Sequence, residues 1–126
     1  MIEVKNLIKS YGDKPILKDI SFSIPNGQAI TIVGKSGAGK SVLLKCLIGL
    51  ITPDAGTIYV NNKLINSMSF KQLQSIRETI GMVFQFGALF DSMTVAENIS
   101  LALNKLTDLS DSEIKMRVHE SLESVG

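Results

Sequence analysis

Ile2 and Val4 alternate with Glu3 and Lys5 at the start of the chain, and Ile20, Phe22 and Ile24 alternate with Asp19, Ser21 and Ser23. A period of two predicts half-buried strands in an antiparallel arrangement, with turns supplied by "YGDKP" and "PNG". The run "AITIV" (29–33) then drops the alternation. Short, β-branched and continuously apolar, it predicts a strand covered on both faces, as in a parallel sheet. From Lys40 to Leu50 the spacing turns helical, with Leu43, Cys46, Leu47 and Leu50 on one side. "TPDAG" breaks that helix and "TIYV" resumes alternation. A polar helix around "SFKQLQSIRE" leads into a second buried strand, "IGMVF" (80–84), and two further helical stretches follow. The last opens on Ser110, three residues before Glu113, a capping-box pair, and carries the apolar stripe Ile114, Val118, Leu122 and Val125.

This order predicts an α/β architecture with a small antiparallel β subdomain at its front. An amphipathic helix needs cover for its stripe, and a parallel sheet wants more than two strands. The chain therefore reads as the first half of a larger fold.

Composition narrows the function classes. With 13 basic and 12 acidic residues the net charge is +1, so no long-range field draws the chain to nucleic acid or to an anionic membrane. "MIEVKN" lacks the charged head and apolar run of a signal peptide. The longest apolar run, "VLLKCLIGLI", falls short of the roughly 20 residues that span a bilayer. A single cysteine fits a reducing compartment. The expectation is a soluble intracellular chain that reaches a membrane only through a partner.

The chemistry concentrates in "GKSGAGKS": Gly34, Lys35, Ser36, Gly37, Ala38, Gly39, Lys40 and Ser41. The stretch matches G-x-x-x-x-G-K-[ST] between a predicted strand and a predicted helix, the context a phosphate-binding loop requires. Glycines at 34, 37 and 39 allow positive φ and carry no Cβ, so backbone can wrap an anion closely. Successive N–H groups form an anion nest, and the helix start adds its positive dipole end. Lys40 supplies a point charge for the outer phosphates, and Ser41 a hydroxyl for Mg²⁺. The Lys35 side chain, outside the fixed pattern, reads as a solvated loop charge. A nucleoside triphosphate such as ATP is the natural occupant.

The opening "IEVKNLIKSYGDKPILKDISFSIPNGQAITIVGKSGAGKSVLLKCLIGLITPDAGTIYVN" resembles the ATP-binding subunits of ABC transporters, and so does "IGMVFQ" after it. The resemblance implies a P-loop NTPase fold of the ABC nucleotide-binding type. Residues 1–85 would form the β subdomain and loop core, and 86–126 the Q-loop segment and the start of a helical subdomain. It implies that Tyr11 stacks on adenine; read alone, Tyr11 is equally an ordinary strand-end aromatic. It also implies that Gln85 positions Mg²⁺ or the attacking water, a residue that by type alone would be solvent-facing. "GALFDSMTVAENISLAL" is similar to the Mla-type ATPases of phospholipid trafficking, also described as organic-solvent-resistance transporters. Phe86, Leu89 and Phe90 there suit either loop packing or docking on a permease.

The same resemblance implies a head-to-tail partner ATPase subunit, a transmembrane permease docking near the Q-loop, and a cytoplasmic position on the inner face of the membrane. Hydrolysis in that family also needs a Walker B aspartate, a following glutamate base, an "LSGGQ" signature and a switch histidine. None appears: "LSDSE" (109–113) has no glycines and fits a helix cap, and His119 reads as a solvated helix residue. The chain is thus expected to stop before Walker B, with turnover belonging to a longer protein. The alternatives are a truncated or decayed gene product without enzymatic activity and an ABC ATPase for a non-lipid substrate.

Overall fold

The computed structural model describes residues 1–84 and 89–126 and divides into two compact units, Met1–Gly81 and Met82–Gly126. In the first, β1 (Ile2–Tyr11) pairs antiparallel with both β2 (Lys14–Ile24) and β3 (Ala55–Val60), and a short β4 (Lys63–Leu64) extends the sheet in the order β2-β1-β3-β4. Helices α1 (Lys40–Leu47) and α2 (Phe70–Arg77) complete this unit. Val4, Leu7, Leu17, Ile58 and Val60 of the sheet are buried with Leu43, Cys46 and Leu47 of α1, Ile65, and Ile76 of α2.

Strict alternation would follow Val4 with Asn6, yet the next core residue is Leu7. A bulge rephases the strand: Asn6 sits at φ 49°, and the register with β2 shifts between Val4 and Leu7. Asn6 Nδ2 donates to Asp19 Oδ1 at 2.8 Å, and its N–H donates to Ser21 Oγ at 2.8 Å. Gly56, on the facing strand, has φ 89°. A Cβ there would press into the Asn6 carbonyl and lie 2.6 Å from the Lys5 oxygen.

The two apolar runs expected as buried parallel strands, 29–33 and 80–84, are not strands. Ile32 and Ile80 pack on the core, but Val33 and Val83 are 88% and 95% exposed. Unbroken apolarity says that a segment tolerates cover on both faces, whereas a ladder needs an edge to pair with. The four described strands pair only among themselves, and neither run joins that sheet. The first helix also ends earlier than its spacing suggested. Gly49 N–H donates to Cys46 O and Leu50 N–H to Lys45 O, a Schellman closure that leaves Leu50 exposed beyond the helix.

The second unit is a helix pair, α3 (Val95–Leu106) and α4 (Asp111–Glu123). Of the α4 stripe, Ile114 and Val118 are buried, Leu122 is partly exposed, and Val125 lies past the helix in solvent. No helix among the described residues is long and apolar enough to cross a membrane. Both helices open with capping boxes. Glu97 Oε2 accepts from Thr94 N–H at 2.7 Å and Oγ1 at 2.8 Å, and Glu113 Oε2 accepts from Ser110 N–H at 2.8 Å and Oγ at 2.6 Å.

These bonds hold both carboxyls below the usual glutamate range: the Thr94 N–H acts first on Glu97, and the Ser110 hydroxyl first on Glu113. A folded-state pKa below the unfolded one contributes stability that is complete above the unfolded value and lost as pH falls through the folded one. Amide-exchange protection at the starts of α3 and α4 is therefore expected to decline as the intact chain is taken below about pH 4. The start of α2, boxed by the neutral pair Ser69 and Gln72, serves as the internal reference. Parallel behaviour of all three starts would contradict this assignment.

Candidate functional site

The loop 34–39 runs into α1 at one end of the first unit. Its turn is closed by Ala38 N–H donating to Lys35 O at 3.2 Å. Gly37 (φ 76°) and Gly39 (φ 94°) adopt positive φ; Gly34 does not. The expectation for Gly34 is thereby corrected. What this position requires is space, since a Cβ would meet Ala38 Cβ at 3.2 Å.

Gly39 is the N-cap of α1 in a left-handed conformation, with no side-chain capping bond and no acidic residue in the first turn. The other three described helices each close their first turn with a Ser or Thr and a Gln or Glu. The first-turn amides of α1 have no upstream acceptor in the helix, and the dipole concentrates positive potential at this end.

Lys40 folds back over the loop, its Nζ donating to Gly34 O at 2.6 Å and Lys35 O at 2.9 Å. Residues 34–38 and Ser41 are exposed, and Gly39 and Lys40 are half-buried. The result is an exposed loop with one ammonium held across it and one hydroxyl at its helical edge.

Gly39 also fixes where this loop stands. A Cβ on it would lie 2.9 Å from Ile16 Cγ2 and 3.2 Å from Ile16 O, so the loop seats against β2. Ile16 is two residues from Lys14, which pairs with Tyr11 across the β1–β2 hairpin; two strand residues span about 7 Å. The hairpin end and the loop therefore occupy the same edge of the unit. Tyr11 is 51% exposed there, with Lys9 Nζ 5.5 Å from its ring centre. Gln85 and Phe86 lie outside the described residues. Leu89 and Phe90 belong to the second unit and are exposed.

The far end of α1 is held by a residue that sequence reasoning passed over. Arg77, in the last turn of α2, donates from Nε to Ile48 O at 2.9 Å and from Nη2 to Gly49 O at 2.8 Å. A cation on these carbonyls complements the negative end of the dipole. Nothing in a lone arginine at the end of a polar helix signals that partner.

His119 is exposed and pairs with Glu123 at 3.2 Å. Cys46 is buried in the core, where burial pushes its thiol up. Among the described residues no group of three or more His, Cys, Asp or Glu could hold a metal. The oxygen donor beside the loop is the Ser41 hydroxyl. That donor set suits a Mg²⁺ that arrives with phosphate oxygens and keeps its waters, and is too sparse for a resident all-protein cage.

A sequence profile of the family described as "ABC transporter" matches residues 17–126. The chain belongs to the ABC transporter family. It is 40% identical, over all of its length, to the protein TRIGALACTOSYLDIACYLGLYCEROL 3, chloroplastic, of Arabidopsis thaliana, covering 36% of that protein. It is 43% identical to the methionine import ATP-binding protein MetN of Clostridioides difficile, covering 39% of it. Among solved structures, the dimeric ATP-binding cassette MJ0796 bound to ADP and Pi superposes with a TM-score of 0.86 at 32% identity, over 98% of this chain and 56% of that one. The chain thus spans just over a third of these curated relatives and about half of the solved cassette.

Proposed function

We propose that this ABC chain carries the nucleotide grip of a transporter's ATP-binding subunit and binds ATP with Mg²⁺. The observation that carries this is the start of α1. A left-handed Gly39 leaves the first-turn amides without a side-chain cap, and Lys40 spans the loop in front of them. Amides of residues 34–41 hold the α- and β-phosphate oxygens, and Lys40 exchanges its two carbonyl partners for β- and γ-phosphate oxygens. Ser41 presents its hydroxyl to Mg²⁺, which neutralises phosphate charge when bound. Tyr11 offers a π-face to adenine. Gln85 takes the role of Mg²⁺ and water positioning, and the exposed Leu89 and Phe90 that of a permease contact.

In the whole protein this grip works in a head-to-tail pair of ATPase subunits on the cytoplasmic face of the membrane, with hydrolysis coupled to transport. The similarity of "GALFDSMTVAENISLAL" to Mla-type ATPases points to envelope lipid as cargo. One relative is named for a galactolipid. Another is named for methionine import, which favours the alternative of a non-lipid cargo. Isothermal titration of the chain is expected to give saturable binding of ATP, tighter with Mg²⁺ than without. Heat that never saturates would overturn the reading.

A further inference from the structure

The end of β1 that carries Tyr11 has a sheet neighbour on one side only. On the β2 side, pairing runs to Tyr11 and Lys14. On the other side, the last pair with β3 is Ile8 and Ala55, three residues short of Tyr11. Asp54, the residue immediately before β3, takes over where the ladder stops. Its N–H donates to Ile8 O at 2.8 Å, its Oδ2 accepts from Ser10 N–H at 2.6 Å, and its Oδ1 accepts from Lys9 Nζ at 2.7 Å.

Lys9 is held tightly for a charged side chain, only 15% exposed. It lies on the same strand face as Tyr11, two residues away, with its ammonium 5.5 Å from the ring centre. The hydrogen bond between Lys9 and Asp54 raises the lysine pKa and lowers the aspartate pKa, and the Ser10 N–H lowers Asp54 further, so both stay charged at neutral pH. Asp54 closes the segment that begins at the C-terminus of α1. The loop–helix arm that ends in the phosphate grip is therefore tied back to the hairpin end.

We infer that Lys9 and Asp54 are positioning residues for a purine-stacking platform. Lys9 covers one face of Tyr11 and leaves the opposite face for the base, while Asp54 fixes the spacing between that platform and the phosphate loop. This rests on the reading that Tyr11 receives the base of a nucleotide. A cation held over a ring is attracted to its π-face, and a ring with one face covered and its backbone pinned loses little freedom when a base stacks on the other. The side-chain hydrogen bonds of both residues go to each other and to β1, none to the loop 34–41, so their effect falls on the base side of the nucleotide.

The test compares the affinity of ATP with that of inorganic tripolyphosphate, both with Mg²⁺, in the intact chain. The advantage of ATP over tripolyphosphate reports the nucleoside, and its loss in Tyr11→Ala marks the share that stacking of the base contributes. Tyr11→Ala is expected to remove most of that advantage, since stacking on an aromatic contributes about 1–3 kcal/mol per base, or roughly 5- to 150-fold. Lys9→Met and Asp54→Asn are expected to cut it by about three- to tenfold with tripolyphosphate affinity unchanged, and Lys9→Arg to restore it.

Equal losses for ATP and tripolyphosphate in the Lys9 and Asp54 variants would mark a merely structural role and overturn the inference. So would an unchanged ratio. A wild-type chain with no preference for ATP, or a Tyr11→Ala chain that keeps the preference, would instead remove the base site itself and the inference with it.

Discussion

Gly56→Ala is expected to cost the first unit about 3 kcal/mol or more, a large share of the roughly 5–15 kcal/mol that holds a domain folded. Two separate penalties meet at this residue. Its φ of 89° is one that an L side chain rarely adopts. A methyl there also meets backbone: the Asn6 carbonyl and the Lys5 oxygen, which belong to the bulge that brings Leu7 into the core. Backbone cannot swing aside as a side-chain tip can, so relief would mean opening the β1–β3 ladder. Gly12→Ala provides the comparison. Gly12 shares a positive φ of 56° but has nothing within 4 Å of its would-be Cβ, so only the conformational penalty, about 1–2 kcal/mol, applies. Thermal unfolding of the two variants beside the wild type reads the difference. Equal midpoints for both would show that the bulge yields.

Lys40→Ala is expected to weaken ATP binding by about 100-fold with little change in thermal midpoint. The ammonium's two partners are loop carbonyls at the surface, so its removal strands no buried group. Against a triphosphate the same ammonium makes charge-assisted hydrogen bonds, each contributing about 1.5–3 kcal/mol. Two such bonds at the lower end of that range account for roughly two decades of affinity, the upper end being offset by the two loop carbonyl bonds given up. Titration of ATP into the variant, alongside its melting curve, separates lost binding from lost folding. Wild-type affinity in a folded Lys40→Ala chain would remove the triphosphate assignment for this loop.

The parts of the fold that one residue type states locally were legible in the sequence. Ser110 and Glu113 announced a helix start three residues apart, and the same spacing stands at Ser69–Gln72 and Thr94–Glu97. The loop 34–41 announced itself through glycines and a lysine at the mouth of a helix, and Tyr11 closes β1 where "YGDKP" marked a turn.

What resisted reading depends on partners far along the chain. Continuous apolarity at 29–33 and 80–84 could not say that those segments join no ladder here. The bulge at Asn6 hides in the pattern because one positive-φ residue shifts every later side chain to the other face. Helical spacing ran on to Leu50 because hydrophobic period says nothing of where Gly49 turns the chain. Asp54 read as one letter of a helix-breaking "TPDAG", whereas its three hydrogen bonds reach residues more than 40 positions away. Arg77 likewise finds its carbonyls 28 and 29 residues upstream.

Gly39 sets a limit on how far this chain can be stabilised without losing what it holds. At most helix starts, serine in place of glycine is a cheap improvement, one added hydrogen bond for no rearrangement. Here that route is closed twice, by a φ of 94° and by the wall that Ile16 raises 2.9 Å from any Cβ. A consensus-minded redesign that tightened every cap in the molecule would have to stop at this one. The helix that stays least self-sufficient at its start is the one that the glycine-rich loop runs into.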